Sequence, residues 1–161
     1  RYRGWLASPR FNTSTNLPLI LRSGADVGSF LSGSRKGGFA ALEFRRGSTL
    51  AGQVRVDHSQ VDLAEGSFDA TLASARAGYS FTPNIFLQGL VQYGSQSNSW
   101  SGNIRFGWLN TAGTGLFLVY NERQLVENLD VAATGPLERS FLIKFTRQFD
   151  VARAGRDVLG W

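Results

Sequence analysis

The sequence predicts an all-β chain: an antiparallel up-and-down meander of about nine strands. Three observations predict it. Apolar and polar residues alternate with period two along most of the chain. Turn-forming clusters recur at short, regular intervals. Composition supplies 19 Gly and 12 Phe but only 4 Pro and no Cys, which suits strands packed side by side and excludes a disulfide framework.

The alternation is clearest in three segments. Trp100, Gly102, Ile104, Phe106 and Trp108 fall on one face of a strand, and Ser101, Asn103, Arg105 and Gly107 on the other. Leu50, Gly52, Val54 and Val56 alternate with Gln53, Arg55, Asp57 and Ser59. Phe141, Ile143, Phe145 and Phe149 oppose Ser140, Lys144, Thr146 and Gln148. A helix would spread these residues around its circumference. Turn signals at 12–16, 32–37, 46–48, 62–66, 82–84, 95–99 and 111–115, with a polar stretch at 121–139, separate strands expected at 2–11, 17–28, 38–45, 49–61, 68–81, 85–94, 100–110, 115–121 and 140–149. Residues 1–149 thus form one set of strands, and 150–161, which lacks alternation, is expected to be a loose C-terminal tail.

No apolar run approaches the ~18 residues a membrane helix needs, but a barrel crosses a membrane with strands in which only alternate residues are apolar. Alternation alone does not say which face is inside. A soluble, lipocalin-like ligand-binding barrel would turn the apolar face inward. Two features favour the membrane orientation. The polar face carries charges of both signs within the strands: Arg22, Asp26, Glu43, Arg45, Arg55, Asp57, Arg76, Arg105 and Lys144, the candidate lumen-lining residues. Aromatics sit near strand ends, at Phe44, Tyr79, Phe81, Tyr93, Trp100, Trp108, Tyr120 and Phe149, where rings with a polar atom prefer a membrane–water boundary. The expectation is therefore part of a transmembrane outer-membrane β-barrel, with lipid as the medium around it. The alternating segment 139–149, ending on Phe149, looks like the terminal strand read by the barrel-assembly machinery, although Arg147 stands where an apolar residue is usual.

Four stretches strengthen this. They are 79–93, opening Tyr79-Ser80-Phe81-Thr82-Pro83-Asn84; Trp100-Ser101-Gly102-Asn103-Ile104-Arg105-Phe106-Gly107-Trp108; Gly115-Leu116-Phe117-Leu118-Val119-Tyr120-Asn121-Glu122; and 139–149. In order and spacing they resemble the C-terminal barrel, a domain of unknown function, of large bacterial outer-membrane proteins with a family 9 carbohydrate-binding-like module at the N-terminus. The first half of the chain matches only in rhythm. The resemblance implies an outer-membrane location and a link to carbohydrate through the module, which is absent from this chain. It implies no catalytic residues.

Other sites weigh little. His58 lies between Asp57 and Ser59, but strand neighbours point to opposite faces, so the three cannot form a catalytic triad. One His and no Cys leave no nitrogen or sulfur cluster for a transition metal, and no metal or cofactor is expected. Asp62 and Glu65 are read as solvated loop acids rather than a Ca²⁺ site. Gly33-Ser34-Arg35-Lys36-Gly37-Gly38 lacks the spacing of a phosphate loop and is read as a flexible outer loop. The net charge of +5 is spread along the chain, which argues against a nucleic-acid partner. The favoured function is a membrane anchor or pore-like translocation unit. A glycan hydrolase is the enzyme alternative, and it would need a carboxylate pair on facing strands. Strand parity adds an expectation: if Phe149 ends a strand in the periplasm, the 2–11 strand starts outside the cell, and at least one more strand precedes Arg1.

Overall fold

The computed structural model describes residues 4–110, 114–126 and 136–147. Phe149, the tail at 150–161 and the start of the first expected strand lie outside them. The described residues form ten strands and no helix: β1 (Leu6–Ala7), β2 (Arg10–Asn12), β3 (Leu19–Phe30), β4 (Gly33–Arg46), β5 (Leu50–Leu63), β6 (Gly66–Thr82), β7 (Ile85–Gly94), β8 (Ser99–Leu109), β9 (Gly115–Leu125) and β10 (Glu138–Thr146). From β3 to β10 each strand pairs antiparallel with the next. β1 and β2 both pair with β3. The sheet is open: among the described residues β10 does not pair with β1 or β2.

The count exceeds nine because of Pro9. The expected first strand divides into β1 and β2, yet both follow one register, with Ala7 opposite Val27 and Arg10 opposite Gly24. Proline has no N–H to give the ladder and is tolerated at a sheet edge. The Ala25 amide still donates to the Pro9 carbonyl at 3.1 Å. The Ala25 carbonyl, deprived of a backbone donor, accepts instead from the Arg10 guanidinium at 2.8 Å. Arg10→Ala should therefore loosen this edge. Amide exchange at Ala25 should quicken by about tenfold, the scale of one lost hydrogen bond, with no change at Val54 in the sheet's middle. Equal exchange at Ala25 in both proteins would show that the edge does not depend on Arg10.

The loop readings at one end need correction. Gly33–Gly38 is not a flexible loop but the first part of β4, paired throughout with β3 and from Ser34 on with β5. The turn before it is only Leu31 and Ser32, and Leu31 adopts φ 51° to make it. Asp62 likewise belongs to β5, leaving Ala64 and Glu65 as the turn into β6. β9 runs on to Leu125 and β10 begins at Glu138, so the polar stretch 121–139 is strand at both ends. Polar residues and glycines resemble loop when read locally. Here paired strands on either side satisfy their backbone groups, so the ladder continues through them.

Direct cross-strand partners share a face, so the register sorts every strand residue onto one of two faces. Buried Ile20, Ala41, Val61 and Ser99 all lie on the charged face. The apolar face is the exposed one: Val54 and Ile104 are each 52% exposed, and Phe141 is 63% exposed. On β5 the contrast is strictly alternate from Val54 to Gln60. Side chains crowd together on one face and splay on the other, as in a sheet curved toward its charged side.

Candidate functional site

On the apolar face, rows of cross-strand partners build a continuous band. One row runs Leu19, Phe44, Gly52, Ala77, Gly89, Ile104, Tyr120, Phe141. A second runs Leu50, Tyr79, Leu87, Phe106, Leu118, Ile143. Ser23 interrupts the band on β3 and Arg46 ends it on β4; elsewhere polar residues replace apolar ones toward the end where β3 meets β4. The border falls between Gly38 and Lys36 on β4, Val56 and His58 on β5, Ala73 and Thr71 on β6, Tyr120 and Glu122 on β9, and Phe141 and Arg139 on β10. It is not level with the hydrogen-bonded rows. It follows one row from β5 to β8, through Val56, Ala73, Tyr93 and Trp100, but steps down two residues between β4 and β5 and four between β8 and β9, so that Tyr120 shares a row with Phe44.

Aromatics mark both margins of the band. Trp100 pairs with Tyr93 at one margin, and Trp108 with Ile85 at the other. Tyr79 and Phe81 meet edge to face, with centroids 4.8 Å apart, at the second margin. Just beyond the first margin, Glu122 accepts from Tyr120 Oη at 2.5 Å and from Arg139 at 3.0 Å. His58 sits there too, with Nδ1 2.9 Å from Thr71 Oγ1, while Asp57 and Ser59 point to the opposite face.

All the charged candidates, Arg22, Asp26, Glu43, Arg45, Arg55, Asp57, Arg76, Arg105 and Lys144, fall on the charged face. Several are tied together. Arg22 Nε lies 3.2 Å from Glu43 Oε1 without hydrogen-bond geometry, and Gln53 donates to the same oxygen at 3.0 Å. Arg55 grips Asp57 through two nitrogens, at 2.7 and 2.5 Å. Arg10 reaches Asp26 at 2.8 Å, and Ser8 donates to the same carboxylate at 2.7 Å. The Arg55 and Arg10 guanidiniums stand over the Phe39 ring, 4.2 and 5.5 Å from its centroid. Farther along, Asn103 donates to Asn121 and Asn121 to Ser140, a polar ladder across three strands. Asp26, Glu43 and Asp57 are each held by an arginine, not set against a second carboxylate across a cleft. A cavity of about 440 Å³ opens on this face, lined by Glu43, Arg45, Gln53, Arg76, Gln88 and Asn103. Gly78 and Ala51 leave the space free between Arg45 and Arg76.

Among solved structures, the chain is similar to the NanC porin in its rhombohedral crystal form. Identity is 12%, the match covers 91% of this chain and 79% of that one, and the TM-score is 0.48. No family model and no curated protein matches the chain.

Sequence reasoning missed Arg10, Phe39 and Asn121 as parts of the charged face, and, although it placed Asn103 and Ser140 there, it did not find the ladder that joins them. Parity within one strand says nothing about which residue stands opposite in the next. Only register brings Arg10 onto Phe39 or sets Asn103 beside Asn121. Among the described residues no cluster of His, Cys, Asp and Glu could hold a metal. Glu65 accepts from Ser32 Oγ at 3.2 Å.

Proposed function

We propose that the sheet is wall from a transmembrane β-barrel of the bacterial outer membrane, where it serves as an anchor and pore-like translocation unit. The observation that carries this is the exposed apolar band with aromatics at both of its margins. A bilayer is flat, whereas barrel strands are tilted, so a lipid-facing band is displaced along the register across a run of strands. From β4 to β9 the net drop is six residues over five strand steps, two between β4 and β5 and four between β8 and β9. With a rise of ~3.4 Å per residue and strands ~4.8 Å apart, that slope corresponds to a tilt of about 40°, inside the usual barrel range. The height agrees as well. Trp100 and Trp108 bracket an apolar segment about 27 Å long on its strand, or about 21 Å along the membrane normal, close to the ~25 Å band of outer-membrane barrels. The charged face then lines the lumen, where crossing ion pairs are hydrated. The segment 139–149 would address the chain to the barrel-assembly machinery, and carbohydrate handling would come from an N-terminal module of the whole protein.

Fluorescence quenching tests this reading. Single-tryptophan chains retaining Trp100 or Trp108 are reconstituted in vesicles of brominated lipid. Both should be quenched more by bromines near the headgroups than by bromines near the chain ends. A chain whose only tryptophan replaces Ile104 should show the reverse order. Quenching without depth dependence, or none at all, would refute the membrane band.

A further inference from the structure

The charged face holds more cations than acids, and its surplus is arranged. Asp26, Glu43 and Asp57 are taken by Arg10, Arg22 and Arg55. Six exposed cations on this face, Arg35, Arg45, Arg76, Arg105, Arg123 and Lys144, form no ion pair among the described residues, and Arg76, Arg105 and Lys144 are the three that fall into a regular series. Arg76 on β6 shares a row with Asn103 on β8 and Ser140 on β10. Arg105 lies two residues below Asn103 on the same face, and Lys144 lies four below Ser140. The cations therefore descend by one residue per strand, the offset that a strand tilt of about 35° produces in a barrel. Measured along the barrel axis rather than along the rows, they stand at one level. Arg55 and Arg22 come within about one residue of the same level, each already neutralised by its acid.

We propose that Arg76, Arg105 and Lys144 form an anion-binding belt around the charged face near mid-height of the band, selecting solutes that carry carboxylate, phosphate or sulfate groups. The inference rests on the barrel reading for its place in a pore, but binding itself needs only the folded sheet. Two strand steps and a two-residue offset separate neighbouring belt cations by about 12 Å, a span that one polyanion can bridge with the long side chains leaning toward it. The space beside Arg76 is open, since Gly78 has no side chain and Ala51 a small one. Two of the three are guanidiniums, which can meet a carboxylate or phosphate with two parallel hydrogen bonds.

The test has two readouts on the full chain. In detergent micelles, calorimetry measures binding of inorganic tripolyphosphate. In planar bilayers, the reversal potential under a potassium chloride gradient measures selectivity. Arg76→Gln with Arg105→Gln should weaken tripolyphosphate binding by about tenfold or more and move the reversal potential from the chloride side toward zero. Arg35→Gln, on the same face but far from the belt, should change neither. Binding without conductance, lost in the double variant alone, would uphold the belt and overturn the pore reading. Cation selectivity in an open pore, or binding that the double variant leaves intact, would overturn the belt. A variant set that loses native β circular dichroism is replaced by Arg76→Lys with Arg105→Lys, which keeps the charge and should retain selectivity.

Discussion

Ile104→Arg should destabilise the lipid-embedded chain by about 2–4 kcal/mol, the cost of an arginine facing lipid near the bilayer midplane. Ile104 sits midway between Trp100 and Trp108 on β8, in a row with Gly89 and Tyr120, and apart from the Tyr120 hydroxyl and Glu122 beside it, its surroundings on that face are apolar. Asn103→Arg, one residue away, should cost far less. It forfeits the hydrogen bond to Asn121, worth about 1 kcal/mol, but places the guanidinium among polar residues. Urea titration of both variants in lipid vesicles separates the two. Equal losses would mean that the faces are not lipid and lumen. A greater loss at Asn103 would turn the sheet inside out and revive the soluble, ligand-binding barrel.

Glycine substitutions should show the second large contrast. At Gly33, where β4 leaves its turn, an added Cβ would overlap the Asp62 carbonyl oxygen on β5. That oxygen is backbone held in the sheet and cannot swing aside as a side chain would. Gly33→Ala should therefore part the strands locally and cost about 1–3 kcal/mol. At Gly89, in the middle of β7, a Cβ meets nothing within 4 Å. Gly89→Ala should stabilise the strand by about 0.5–1 kcal/mol, because alanine loses less backbone freedom on folding. Denaturant titrations in the same detergent measure both. A neutral Gly33→Ala would mean that β4 and β5 do not approach so closely there, and that the two-residue turn before Gly33 is longer in solution.

Neighbouring strands explain why some of this could be read from residues in order and some could not. Which side chains share a face of a strand is a local property, because the backbone alternates every residue. The sequence by itself therefore determined the antiparallel all-β class, the positions of most strands, and the assignment of Arg55, Arg76 and Arg105 to the face opposite Val54 and Ile104. It misread Gly33–Gly38 and the ends of 121–139. Glycines, serines and charges there carry no apolar signal, and their strand state comes from partners on both sides. Register was the further unknown. It depends on turn lengths and on how neighbouring strands fit, so only the tertiary structure decided that Phe39 receives two arginines. It likewise decided that Arg10 stands in for the amide Pro9 lacks, that the apolar border drops six residues in all between β4 and β9, and that Arg76, Arg105 and Lys144 descend by one residue per strand. Those relations join residues tens of positions apart, and no periodicity within a single strand encodes them.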